Sequence, residues 1–153
     1  MSGIICRDDL QKPAMRMWLF GLVTIAELRV TGLINELYPD GEWQRFLSPG
    51  RLQKSLELQQ QRRCRGQHPS LLNCLQFGDK SRIVACDHTL RQRTRFESRR
   101  QVEKFVEALR DLRNNLAHSQ DIISDWEVIY ELAANLHRIV LGPSAVSLDP
   151  RQD

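Results

Sequence analysis

Apolar residues recur at the spacing of an α-helix along most of this sequence, and the longest such run lies between residues 14 and 37. These residues form one broad face, and Pro39-Asp40-Gly41 ends the run. The most apolar part, from Met17 to Leu28, contains Glu27 and is about a dozen residues long, whereas a bilayer span needs about 20. We therefore expect a core helix rather than a membrane span. The apolar positions of the run are Met15, Trp18, Leu19, Leu22, Ile25, Ala26, Leu28, Val30, Leu33, Ile34 and Leu37.

Capping signals predict where the later helices begin and end. Ser48-Pro49 is typical of a helix start, and Gly66 is typical of a helix end. Ser98 and Ser124 each begin a capping box, and Gly142-Pro143 closes the last helix. No alternating strand pattern occurs after residue 13, so we predict an all-α bundle of four to five helices with two long C-terminal ones. The first of these later helices is expected at about 49–63, and only short helices are expected at about 69–76 and 80–90. The two long ones begin at Ser98, with apolar positions as far as Leu116, and at Ser124, with an end at Leu141.

Composition indicates a single folded domain. The chain has 153 residues and 17.8 kDa, a size at which a core forms without disulfides, so its four cysteines do not indicate a secreted cystine scaffold. The net charge is only +3, yet 18 of the 22 basic residues are arginine. Arginine suits phosphate oxygens, which permits a nucleic acid as partner without establishing one. The N-terminus lacks the charge order of a signal peptide, so we expect a cytoplasmic protein.

The first residues resemble a piece of a different domain. The phrase Gly3-Ile-Ile-Cys-Arg-Asp-Asp-Leu10 is similar to the closing strand and turn of a CBS (cystathionine-β-synthase) regulatory domain, with Cys6 where threonine is usual. The resemblance implies that the chain is the C-terminal part of a longer protein. We therefore assign 1–13 to the tail of an upstream CBS-like domain or a linker, 14–142 to the helical domain and 143–153 to a flexible C-terminal tail.

The most informative segment is Leu112-Arg-Asn-Asn-Leu-Ala-His-Ser-Gln120, near the end of the helix that Ser98 begins. Two successive asparagines are unfavourable inside a helix, so they indicate either a cap or a polar requirement of that surface. In the structural interpretation, Asn115 and His118 only cap a helix C-terminus, where a histidine also suits the helix dipole.

In the functional interpretation, the same segment resembles the signature of the HEPN (higher eukaryote and prokaryote nucleotide-binding) superfamily. That signature is an arginine, often followed by a polar residue, and then a histidine after four to six positions; here four residues separate Arg113 from His118, and Asn114 is the polar one. The resemblance extends over roughly 14–142 and implies a HEPN-like dimeric bundle. It also implies a metal-independent ribonuclease whose two motifs meet in one cleft at the twofold axis.

The resemblance gives each motif residue a role that its chemistry suits. Histidine titrates near neutral pH, so His118 is the expected acid or base, and Arg113 would stabilise the phosphoryl charge of the transition state. Asn114 would orient the histidine ring or bind a phosphate oxygen. The expected products are a 2′,3′-cyclic phosphate and a 5′-hydroxyl, and DNA lacks the attacking hydroxyl.

Further arginines are candidate RNA contacts. Arg110 lies one helical turn before Arg113, although it could instead pair with Glu107 or Asp111. Arg99 and Arg100 end an arginine-rich run that either guides RNA electrostatically or is simply a solvated surface. A smaller cluster, Arg62, Arg63 and Arg65, is interpreted as cations favoured at a helix C-terminus.

The remaining candidates point away from metals and cofactors. Three cysteines, Cys64, Cys74 and Cys86, are ten and twelve residues apart, which matches no usual zinc pattern. No phosphate-binding glycine loop is present, and we expect no cofactor. Glu27 interrupts an apolar helix and needs a partner, either an arginine in the core or a place in the cleft.

Two classes of function remain open. The first is an endoribonuclease, acting as a toxin or in defence, with RNA and a second copy of the chain as partners. Ligand-sensing CBS domains or an antitoxin-like protein would control it. The second is a non-catalytic HEPN-like module for dimerisation or for binding RNA or protein, attached to a CBS domain.

Overall fold

The structure is a computed structural model that describes residues 12–117 and 126–141. The CBS-like segment, His118, Ser124 and the predicted C-terminal tail lie outside the described residues. Within them every regular element is helical, so the all-α prediction is confirmed. Six α-helices are described, against the four or five predicted for the bundle. They are α1 (Pro13–Leu37), α2 (Pro49–Cys64), α3 (Phe77–Cys86), α4 (His88–Arg93), α5 (Arg99–Ala117) and α6 (Trp126–Leu141), with short 3₁₀ helices at Glu42–Phe46 and Leu72–Cys74.

Helix α1 is the central helix of the bundle. It begins with Pro13 at its first position and ends at Tyr38, whose N–H donates to the Ile34 carbonyl. It packs most extensively on α6 and also on α3 and α5. Among the described helices, it is the one whose length and apolar composition would suffice to cross a membrane. Its inner face is buried in the bundle core and consists of Leu19, Leu22, Val23, Ala26, Val30, Leu33 and Ile34.

Helix α2 lies at the edge of the bundle and is almost entirely polar. Ser48 has the extended backbone of an N-cap, but its side chain makes no capping hydrogen bond. The predicted stop at Gly66 is confirmed: this glycine is left-handed (φ +77°), and two backbone bonds, from Gly66 to Arg63 and from Gln67 to Arg62, close the helix. Only Ser55 is buried in α2, so few core contacts hold this helix in place.

The segment predicted as one helix over 80–90 is divided at Asp87 into α3 and α4. Asp87 has an extended backbone, and its carboxylate accepts a 2.7 Å bond from the Leu90 N–H as the N-cap of α4. It also accepts a 2.6 Å bond from the Tyr38 hydroxyl. Burial raises the pKa of Tyr38, and the hydrogen bond to Asp87 and its negative charge act in the same direction. The helix predicted at 69–76 is only the 3₁₀ turn Leu72–Cys74.

The helix carrying the Arg113 motif begins as predicted. The Ser98 hydroxyl accepts a 3.2 Å bond from the Gln101 N–H, while the Gln101 side chain reaches back to the Glu97 N–H at 2.8 Å, one residue earlier than in a standard capping box. Helices α5 and α6 then pack on α1. Their buried residues are Val102, Phe105, Leu109, Leu112, Leu132, Leu136 and Ile139.

Candidate functional site

An open groove of about 940 Å³ runs between α2 and α5, with α3 beside them and α1 at one side. Helix α5 contributes a stripe of residues spaced four and three apart, so that they lie on one side of the helix. Arg113 and Asn114, the first two motif residues, lie at the C-terminal end of this stripe, and both are exposed. The stripe consists of Arg99, Glu103, Val106, Arg110 and Arg113.

Each carboxylate that lines the groove, in the part of the chain that the structure describes, is paired with a basic side chain. Two pairs hold the walls to one another: Arg51 of α2 lies 3.5 Å from Asp79 of α3, and Lys80 of α3 lies 3.1 Å from Glu27 of α1. Two more join neighbours within α5, with N–O distances of 3.0 Å for Arg99 and Glu103 and 3.8 Å for Arg110 and Glu107. The acids of the groove are therefore neutralised by these four pairs.

Three arginines of the groove remain without a carboxylate partner among the described residues. They are Arg62 on α2, Arg82 on α3 and Arg113 on α5, so each wall contributes one. The Arg82 Nε donates a 3.2 Å bond to the Phe46 carbonyl, which leaves its two Nη groups unbonded to described residues. A concave surface with uncompensated positive charge attracts anions, and three guanidinium groups on separate walls suit an extended polyanion.

The end of α5 is held by a side chain from α1. Arg16 donates from Nη2 to the carbonyls of Asn115 and Leu116, at 3.1 Å and 3.0 Å. These carbonyls lie in the last turn of α5, where no backbone N–H within the helix satisfies them, and a cation is also favourable at that end of the helix dipole. The backbone just after Arg113 and Asn114 is thereby tied to the first turn of α1.

The predicted RNA contacts are only partly brought together. Arg99 and Arg110 line the groove but pair with acids of their own helix, and Arg110 also lies 3.4 Å from Asp111, as the alternative interpretation expected. Arg100 is exposed and does not line the groove. His118, the predicted acid or base, lies outside the described residues.

The structure adds to two other assignments, because Arg62 does lie in the last turn of its helix and Glu27 does have a basic partner. Arg62, interpreted from the sequence only as a cation at a helix end, lines the groove opposite α5. Glu27 was expected to pair with an arginine or to reach the cleft; it lines the groove, and its partner is Lys80. The sequence indicated that Glu27 needs a partner, but neither Lys80 as that partner nor the groove position of Arg62 has a local signal, because the facing helices are distant in the chain.

No group of three or more His, Cys, Asp or Glu side chains in the described ranges is arranged to hold a metal ion. Cys64 is exposed, Cys86 is half-buried and Cys74 is buried, and all three are free thiols.

Comparison with known proteins identifies no relative of this chain. No family model matches it, and neither a curated protein nor a solved structure is significantly similar to it.

Proposed function

We propose that this chain is a metal-independent endoribonuclease of the HEPN type and that its RNA substrate lies in the groove between α2 and α5. The observation that carries the proposal is the set of three arginines, Arg62, Arg82 and Arg113, that have no acid partner among the described residues, around a groove whose described acids are already paired. The guanidinium fork matches the geometry of phosphate oxygens, and most contacts of nucleic-acid-binding proteins are made to the phosphodiester backbone. Arg113 belongs both to this set and to the HEPN-like motif.

The proposed reaction uses the RNA's own 2′-hydroxyl as nucleophile. Its oxygen attacks the adjacent phosphorus, and the bond from phosphorus to the 5′-oxygen breaks, which leaves a 2′,3′-cyclic phosphate and a 5′-hydroxyl. His118 takes the proton from the nucleophile or gives one to the leaving oxygen. Arg113 stabilises the charge on the phosphoryl oxygens, and Asn114 orients the histidine or binds one of those oxygens.

Assembly and control belong to the same proposal. The HEPN resemblance implies a homodimer in which the motifs of two copies share one cleft. CBS domains upstream or an antitoxin-like protein would then regulate cleavage, and the protein would act in the cytoplasm.

The test is RNA cleavage by the purified chain in excess EDTA, with both product ends mapped. We expect cyclic-phosphate and 5′-hydroxyl ends from the wild type. Arg113→Ala should lower the rate by about a hundred- to ten-thousand-fold because it removes a contact to developing negative charge. Arg100→Ala is the matched control, an exposed arginine on the same helix but outside the groove, and should cleave normally. Equal rates for the two variants would contradict the assignment of Arg113.

A second candidate function, a non-catalytic module for dimerisation or binding, is favoured by the large apolar side chains that α1 exposes. It predicts that the chain binds RNA or protein without cutting RNA. Intact RNA after prolonged incubation with a protein that binds it would favour this function.

A further inference from the structure

Helix α1 has a second apolar face that the described part of the bundle leaves uncovered. Met17 is 75% exposed, Leu28 66% and Phe20 55%, and Trp18 and Ile25 are about half exposed. Among the described residues seven large hydrophobic side chains are exposed, and five of them lie on this helix within twelve residues, while its opposite side is buried. Apolar residues scattered singly over a surface are ordinary, but a contiguous patch of this kind marks an interaction surface.

Two glycines lie on the same side of α1. Gly21 is four residues after Met17, and Gly32 is four residues after Leu28, so helical spacing places them beside these side chains. A Cβ atom added to either glycine would meet nothing within 4 Å. Glycine weakens a helix interior, and no close approach of a described residue requires it here. Glycines beside large apolar side chains allow the knobs of a second helix to approach the backbone closely.

We propose that this face, formed by Met17, Trp18, Phe20, Gly21, Ile25 and Leu28, binds the same face of a second copy of the chain. The exposed parts of its large side chains amount to roughly 600 Å² per copy, and about 1,200 Å² for two copies reaches the lower end of stable interfaces. An isologous contact also requires a surface that does not repel itself. Between Met17 and Leu28 the single charged residue is Glu27, which is paired with Lys80.

The face is continuous with the candidate site. Arg16, Phe20 and Val23 are spaced four and three apart, so they lie on one side of α1. Arg16 is bonded to the end of α5, and Val23 lines the groove. A copy seated on Phe20 would therefore border the end of the groove that holds Arg113. The proposal rests on the homodimer of the proposed function and specifies its interface. Its test measures molecular mass, however, and does not depend on RNA cleavage.

The bundle argues for a protein partner rather than a membrane. A transmembrane α1 would have to give up its contacts with α3, α5 and α6. Shallow insertion of the exposed face into a bilayer surface remains an outcome of the test.

The test measures the mass of the full chain by light scattering after size exclusion. We expect about 36 kDa, twice the 17.8 kDa of one chain. Leu28→Glu and Gly21→Gln should reduce the measured mass to that of the monomer. Helicity should be kept, because neither position belongs to the buried core. Leu56→Glu and Gly50→Gln are the matched controls, because Leu56 is an exposed leucine of α2 and Gly50 has open space around it. Both controls should remain dimeric.

A second measurement keeps the proposal testable if a variant misfolds. Thr24 is exposed near the middle of the face, so Thr24→Cys should form an intermolecular disulfide under mild oxidation in a chain whose Cys6 and Cys64 are serine. A monomeric wild type at all accessible concentrations would overturn the proposal. So would a monomer that floats with vesicles of phosphatidylcholine and phosphatidylglycerol through this face. Loss of the dimer in the variants with no RNA cleavage by the wild type would contradict only the proposed function.

Discussion

Lys80 and Glu27 form an ion pair across the groove wall, with Nζ of Lys80 3.1 Å from Oε1 of Glu27. The lysine side chain is only 6% exposed, whereas the carboxylate is 29% exposed. The pair joins α3 to α1 across 53 positions of the chain. It also neutralises the Glu27 carboxylate, which would otherwise repel a phosphate at this side of the groove.

We predict that Glu27→Ala lowers the free energy of unfolding by about 3 kcal/mol, because it leaves the Lys80 ammonium buried without a partner. The measurement is urea denaturation at neutral pH. Glu36→Ala is the control: Glu36 lies on the same helix and pairs with Arg93 at 3.1 Å, but both side chains are well exposed, so the loss should be below about 1 kcal/mol. If both variants lose the same free energy of unfolding, the burial of Lys80 does not add to the cost of losing its partner.

The position of Arg62 predicts a role in binding RNA that its neighbour does not share. Arg62→Ala should weaken binding of single-stranded RNA and reduce the slope of log K against log salt by about 1, as expected for one lost phosphate contact. Arg63→Ala removes the same charge from the adjacent position, which is exposed outside the groove, and should change the slope less. Fluorescence anisotropy over a salt series provides both slopes. If the two variants behave alike, only the net charge of α2 matters.

Arg113 and His118 should act on one transition state. Each alanine substitution is expected to lower the cleavage rate by about a hundred- to ten-thousand-fold, and the double variant should fall little below the worse single variant. Single-turnover rates on a labelled RNA, with contaminating nuclease excluded, provide the comparison. The capping interpretation predicts instead that His118→Ala loses at most about 1 kcal/mol of stability and keeps all activity. Wild-type cleavage by His118→Ala would therefore remove the histidine from the mechanism.

The raised pKa of Tyr38 leads us to predict a loss of stability in alkaline solution. Its pKa is raised above the ordinary value of about 10 by burial and by Asp87, so the fold favours the protonated hydroxyl. The resulting stabilisation is complete below pH about 10 and is lost as the pH rises through the raised pKa. Tyr38→Phe should lower the free energy of unfolding by about 1–2 kcal/mol at neutral pH, because it removes the hydrogen bond to Asp87. Above pH about 10, the free energies of unfolding of the variant and the wild type should become more similar.

Chemical denaturation across this pH range tests the prediction for Tyr38. Tyr130→Phe is the control, since Tyr130 is 67% exposed and should leave the profile unchanged. If the free energies of unfolding of the wild type and Tyr38→Phe differ by a constant amount up to strongly alkaline pH, the raised pKa of Tyr38 is contradicted.

The limits of the helices were largely predictable because their signals are local. The run predicted over 14–37 is Pro13–Leu37, and the helix predicted over 49–63 is Pro49–Cys64. The division at Asp87 was not predicted, because its carboxylate bonds both the next helix and Tyr38, which is 49 positions away. The prediction of one broad apolar face on the first helix was also incomplete. Trp18, Ile25 and Leu28 of that face are exposed, and only the packing of the other helices decides which apolar residues are covered.

The sequence by itself determined an all-α chain and the helix positions of Arg113 and Asn114, because caps, prolines, glycines and apolar periodicity act within a few residues of one another. The pairing of Arg110 with Glu107 is local, and the sequence already offered it as an alternative. Only the tertiary structure decided that Lys80 pairs with Glu27, and that Arg62 of a distant helix lines the same groove with no acid partner among the described residues. The physical reason is that the Coulomb energy depends on distance through space, and helix packing brings together side chains that the chain order keeps dozens of residues apart.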